Sequence, residues 1–183
     1  MSKSNQSVFV LVCLFSFFST EIIGQTGLSE NFSILEPFVG KTWKGIVDNG
    51  DDGSPIYDIG KWDIILNGNA IKVIHSVNNG SYAGETTYYW NTEKGLIEYF
   101  YFTTAGFYTT GTTEKVGEKI VNHEFITGDA GGIKEVKSVV EFINGNEYQV
   151  FTNVKSNNKW LDGGVVIYKV DNSAKVILEP NKD

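Results

Sequence analysis

Residues 70–104 read AIKVIHSVNNGSYAGETTYYWNTEKGLIEYFYFTT, and this stretch decides the fold. Three runs rich in β-branched and aromatic residues, 70–77, 82–91 and 96–104, are separated by Asn78-Asn79-Gly80 and Glu93-Lys94-Gly95. Asn and Gly tolerate the positive φ of tight turns, so each joint predicts an antiparallel hairpin. In the first run Ile71, Val73, His75 and Val77 share one phase, while Lys72 and Ser76 take the other. That is the alternation of a strand buried on one face. The next two runs are different. Tyr82, Thr86, Tyr88 and Trp90, then Ile97, Tyr99 and Tyr101, point one way, and Phe100 and Phe102 point the other. A pair apolar on both faces is either doubly covered or lines a cavity while its outer face meets something else.

The same grammar runs outward from this centre. Strands are expected at 41–47, 59–66, 70–77, 82–91, 96–104, 107–116, 119–127, 133–143, 147–155 and 159–170. Further joints fall at Asn67-Gly68-Asn69, Ala105-Gly106, Asn144-Gly145-Asn146 and Ser156-Asn157-Asn158. None leaves room for a crossover helix, so every pairing is antiparallel. About ten such strands in series predict an all-β fold, an up-and-down closed antiparallel barrel, with a sandwich as the other option. Closure also removes the exposed edges of a long meander. Inward phases are expected for Trp62, Ile64 and Leu66, for Val136, Ser138, Val140 and Phe142, and for Tyr148, Val150, Thr152 and Val154. Residues 28–38 form the helical piece that closes one end. Leu28, Phe32, Leu35 and Phe38 give it an apolar stripe, Ser29 is placed to cap it, and Pro37 limits its length.

The chain has 183 residues, the size of one ordinary domain, since domains most often run to roughly 100–150 residues. Its net charge is -7 and all fifteen basic residues are Lys. Nucleic-acid binding is excluded on that ground, because phosphate contacts need a basic face and base reading leans on Arg. Lys3 and the apolar run from Val8 to Phe18 read as a signal peptide, too short to span a bilayer core of roughly 30 Å. Cleavage is expected after Gly24, giving a signal at 1–24, a lead-in at 25–34, a barrel at 35–171 and a tail at 172–183. The mature protein is then secreted or periplasmic, with no stable membrane insertion. Cys13 lies inside the signal, so the exported chain has neither disulfides nor thiol chemistry.

One segment carries a family resemblance. Leu35-Glu36-Pro37-Phe38-Val39-Gly40-Lys41-Thr42-Trp43-Lys44-Gly45 resembles the opening of calycin-like β-barrels, the superfamily of lipocalins, fatty-acid-binding proteins and nitrobindin-like barrels. There a short helix leads into a Gly, a Trp that starts the first strand, and a second Gly. With Leu66-Asn67-Gly68-Asn69-Ala70, Tyr89-Trp90-Asn91 and the closing run from Trp160 to Tyr168, the chain is most similar to a bacterial secreted calycin-like group of unknown function. The likeness covers about residues 35–170. It implies a barrel with a ligand lumen, and Trp43 as a plug at the base under the helix.

Few residues carry chemistry. His75 and His123 are the two imidazoles, and no H-x-x-x-H or H-E-x-x-H spacing occurs, so no metal is expected. In the bare pair His123-Glu124, His123 reads as an exposed or hairpin-edge histidine. His75 reads as an interior histidine that needs a hydrogen-bond partner, with Tyr88, Tyr99 or Tyr101 the candidates. Nitrobindin-like barrels hold haem through a late-strand histidine, and the late strands here have none, so no cofactor is expected. Asp48-Asn49-Gly50-Asp51-Asp52 reads as a turn rather than a cation loop. Asn31-Phe32-Ser33 and Asn79-Gly80-Ser81 match glycosylation sequons, which matter in a eukaryotic secretory route.

Without Arg, an acid in the lumen lacks a bidentate partner, so a small neutral, apolar or aromatic ligand suits a Tyr-rich interior better. The expected ligand-binding residues are His75, Trp62, Tyr88, Tyr99, Tyr101 and Phe142. Two other classes stay open. One is a cyclase- or isomerase-type enzyme with His75 or Glu98 as proton carrier and a Tyr as donor. The other is a structural barrel with a filled core.

Overall fold

The computed structural model describes residues 27–179, so the expected signal segment at 1–24 lies outside the described residues. Ten strands follow in order: β1 Thr42–Asn49, β2 Pro55–Ile65, β3 Ala70–Val77, β4 Tyr82–Asn91, β5 Leu96–Thr103, β6 Tyr108–Val116, β7 Lys119–Thr127, β8 Ile133–Asn144, β9 Glu147–Ser156 and β10 Lys159–Val170. Each pairs antiparallel with its sequence neighbours, and β1 pairs with β10 to close the barrel. The fold is the expected up-and-down antiparallel barrel.

The N-terminal helix, Glu30–Phe38, is a 3₁₀ helix. Its buried side chains explain why: Phe32, Leu35 and Phe38 are spaced by three, and three residues per turn stacks them on one stripe. Ser29 makes no side-chain cap, contrary to expectation; its backbone carbonyl accepts from the Phe32 amide and its amide donates to the Gly68 carbonyl. Phe38 closes the base. It stacks on Trp62 at 4.6 Å between ring centroids and meets Phe142 at 4.8 Å and Tyr148 at 5.0 Å. Trp43 is fully buried beneath it, and the indole N–H donates to the Phe38 carbonyl at 3.1 Å. The base is therefore an aromatic plug, with the indole's one polar atom satisfied.

Closure is short. β1 and β10 pair only at Trp43↔Val170, Lys44↔Lys169 and Gly45↔Tyr168. Above these rows bulges interrupt β1 against β2 at Ile46/Asp48 and β10 against β9 at Asp162/Gly164, and bulges bend the strands that carry them. The expected removal of edges thus holds at the base and lapses toward the mouth, where Ile46, Leu161 and Val165 are exposed. Two apolar positions also miss the core. Ile64 is only partly covered, and Leu66, expected to point inward, sits 71% exposed in the β2–β3 turn at φ 51.

Outside the barrel, the residues after β10 pack over β1 to β3. The Asp171 amide donates to the Thr42 carbonyl at 2.9 Å, and the Ile177 amide reaches Ser76 Oγ at 2.9 Å. This strap buries Ser76 on the outer face. The two-faced character of β4 and β5 resolves into an inner cavity wall and an outer row of rings, Tyr89, Phe100, Phe102 and Tyr108, stacked or tilted at about 6 Å.

Candidate functional site

The lumen above the plug holds a cavity of about 300 Å³. Its lower wall is apolar, from Leu35, Phe38, Val73, Ile120 and Val140. Toward the mouth the wall turns polar, with Asp58, His75, Tyr101, Glu124 and Tyr168. Of the residues expected to bind ligand, His75, Trp62, Tyr88, Tyr99 and Tyr101 line this cavity together. Phe142 belongs instead to the plug, packed on Phe38, Trp43 and Tyr148.

Glu98 is elsewhere, which corrects its assignment as a lumen acid. It stands on the outer face of β5, where it accepts hydrogen bonds from Asn91 Nδ2 at 2.8 Å, Lys94 Nζ at 2.6 Å and the Tyr89 hydroxyl. These donors, Asn91 first, hold its carboxyl down to about 2. The reason is strand phase: Glu98 follows the inward Ile97 and precedes the inward Tyr99.

His75 points inward as its phase required, and it is held at both ring nitrogens. Nδ1 lies 2.8 Å from Asp58 Oδ1, and Nε2 lies 2.8 Å from the Tyr101 hydroxyl. Asp58 can only accept, so Nδ1 carries its proton. The chain continues from Tyr101 to the Tyr82 hydroxyl at 2.5 Å, and the Tyr168 hydroxyl donates to the other Asp58 oxygen at 2.7 Å. Burial pushes the hydroxyls of Tyr82, Tyr101 and Tyr168 above their ordinary range. They therefore serve as neutral donors and acceptors. The result is a polar chain with every member satisfied, running from Asp58 to the mouth.

On the opposite wall stands Glu124, on β7. The surface it retains faces the cavity, yet protein surrounds it, and desolvation pushes its carboxyl above the ordinary value. Thr109 Oγ1 donates to it at 3.0 Å and offsets part of that effect. The Tyr99 hydroxyl, on a residue only 3% exposed, is directed toward this carboxyl but meets no partner in hydrogen-bond geometry. A buried hydroxyl left unpaired costs roughly 1–3 kcal/mol.

Strand register explains how these groups meet. Gly45 pairs with Tyr168 on one side and Asp58 on the other. Gly111 pairs likewise with Tyr99 and Glu124. In each row a glycine of the middle strand lets a tyrosine lie across it toward a carboxyl two strands away. A Cβ at Gly111 would fall 2.4 Å from the Tyr99 ring, and one at Gly45 would fall 2.9 Å from Tyr168.

The sequence reading missed Asp58, Tyr82, Tyr168 and Glu124. One signal was present for Glu124: Ile120, Asn122 and Glu124 share a phase, opposite to His123. His123 is on the outer face as a histidine at a half-exposed position, 3.0 Å from Glu135. Among the described residues no three His, Cys, Asp or Glu side chains converge as a metal-ligand set.

No family model matches the chain, and no curated protein matches it. Among solved structures, the crystal structure of Rv2717c from M. tuberculosis matches with a TM-score of 0.56 at 12% identity. The match covers 79% of this chain and 99% of that one. At that identity the likeness establishes a shared fold.

Proposed function

We propose that this chain is an exported barrel that binds a small apolar or aromatic molecule in its lumen. The observation that supports it is the cavity of about 300 Å³, walled by Trp62, Tyr88, Tyr99 and Tyr101 above a sealed aromatic base. That volume lies at the small end of the roughly 300–1,000 Å³ typical of ligand pockets. A wall of rings with a few convergent polar groups is what such pockets share. Native mass spectrometry of protein purified from its own host tests the reading. A co-purified small molecule lost in a Tyr88→Ala variant is expected, and an unliganded protein that takes up no aromatic compound would overturn it. Export rests on the segment from Lys3 to Gly24, and N-terminal sequencing is expected to begin near Gln25. A natural protein that still begins at Met1 would refute it.

The hydrogen-bond chain Asp58–His75–Tyr101–Tyr82 favours a second reading, an isomerase-type enzyme in which His75 moves a proton through Tyr101. A bound compound recovered chemically unchanged after prolonged incubation argues for the carrier. Conversion that His75→Gln abolishes argues for the enzyme.

A further inference from the structure

Resting on the lumen-binding reading, we propose that the occupant of the lumen is an organic cation, a small aromatic amine whose ammonium group is received by Glu124. Three observations carry the assignment. The cavity wall contains two carboxyls, Asp58 and Glu124, and no Lys, in a chain that has no Arg. Asp58 is already engaged by His75 and Tyr168, whereas Glu124 has hydroxyl company and no cationic partner in the cavity wall. The Tyr99 hydroxyl beside it is buried, lines the cavity and has no hydrogen-bond partner.

Each ligand class meets a different lumen. A carboxylate or phosphate finds two acids and no basic side chain apart from His75, whose Nδ1 is committed to Asp58. A neutral molecule is received by the rings but leaves the Glu124 carboxyl desolvated and without a charged partner. An ammonium group gives Glu124 the counter-charge that burial withholds, and a charge-assisted hydrogen bond is roughly twice as strong as a neutral one. Its N–H groups also have the Tyr99 oxygen to donate to. The cavity is lined by tyrosine rings, among them Tyr88 and Tyr99 with centroids 5.0 Å apart and tilted to each other, whose quadrupoles attract a cation. Tyr148, Tyr168 and Tyr101 extend the same lining. The overall charge agrees in sign with this choice, because the whole chain carries a net charge of -7 and attracts rather than repels a cation.

Three probes of matched aromatic body separate the possibilities: phenethylammonium, phenethyl alcohol and hydrocinnamate. Affinity is measured by calorimetry on the whole exported protein, and the Trp62 indole N–H resonance reports entry into the lumen. Phenethylammonium is expected to bind tightest, by roughly tenfold over the alcohol, the margin of a charge-assisted hydrogen bond. Glu124→Gln is expected to abolish the amine's advantage over the alcohol, weakening the amine by roughly that tenfold margin more than the alcohol. An alcohol that binds as tightly as the amine, or a tighter hydrocinnamate, overturns the cation assignment and leaves lumen binding standing. If none of the three moves the Trp62 signal, aromatic binding in the lumen fails, and the cation assignment fails with it. The ranking on the unmodified protein decides the matter even if the Gln variant does not fold.

Discussion

The Tyr168 hydroxyl donates to Asp58 Oδ2 at 2.7 Å by passing over Gly45, the residue that pairs with both of them. Tyr99 stands toward Glu124 across Gly111 in the same arrangement on the other side of the barrel. Both lumen acids are thus approached by a tyrosine from two strands away, and a missing side chain makes the approach possible.

Gly111→Ala is therefore expected to be destabilising. The added methyl would sit 2.4 Å from the Tyr99 ring and 2.8 Å from the His123 carbonyl, and the latter is backbone that cannot move aside. Overpacking of this kind costs about 1–3 kcal/mol. Urea unfolding of both proteins measures it, and unchanged stability would show that Tyr99 does not lie flat on β6.

His75→Ala is expected to weaken binding of an aromatic probe far more than Lys72→Ala does. The first opens the polar chain that fixes Tyr101, and leaves Asp58 short of a donor. Lys72 lies on the outer face in an exposed pair with Glu85, worth at most about 1 kcal/mol to stability. Titrations of both variants with phenethyl alcohol give the comparison. Equal small effects would make His75 a packing residue.

Leu66→Asn is expected to stabilise the protein. Leu66 holds φ 51, a conformation that disfavours a bulky side chain by roughly 1–2 kcal/mol, and its side chain is 71% exposed. Asn tolerates that conformation, and little burial is lost. A gain of about 1 kcal/mol in thermal unfolding is the expected result, and a loss would mean that Leu66 contributes packing.

Two glutamates make stability depend on pH with opposite signs. Glu98 is held at about 2, below its unfolded value near 4.5, so its contribution is present above 4.5 and is lost as pH falls toward 2. Glu124 lies above 4.5, so the folded protein keeps that proton more tightly, and stability declines as pH rises through the window above 4.5. Glu98→Gln is expected to lose stability at neutral pH and to converge with the parent in acid. Glu124→Gln is expected to match the parent in acid and to gain on it toward neutrality. Thermal melts from about pH 2 to about pH 8 check both, and parallel curves for either variant would contradict its sign.

The strands and hairpins were legible because both signals are local. Asn78-Asn79-Gly80 adopts positive φ throughout, and the period of two across Ile71, Val73 and His75 holds within a single strand. From the same phase the sequence determined that His75, Tyr88, Tyr99 and Tyr101 face one interior. It did not determine the 3₁₀ form of the helix, because an apolar spacing of three or four fits either winding until the plug is packed. Nor did it determine which groups touch. Asp58 and Tyr168 are 110 residues apart, and they meet because β1 lies between their strands with Gly45 in the shared row. Glu124 acquires its buried, cation-free surroundings in the same way, from side chains on β4, β5 and β6 that barrel closure turns toward it. Alternation assigns a face to each residue, whereas register and closure assign its neighbours, and the neighbours decide the chemistry.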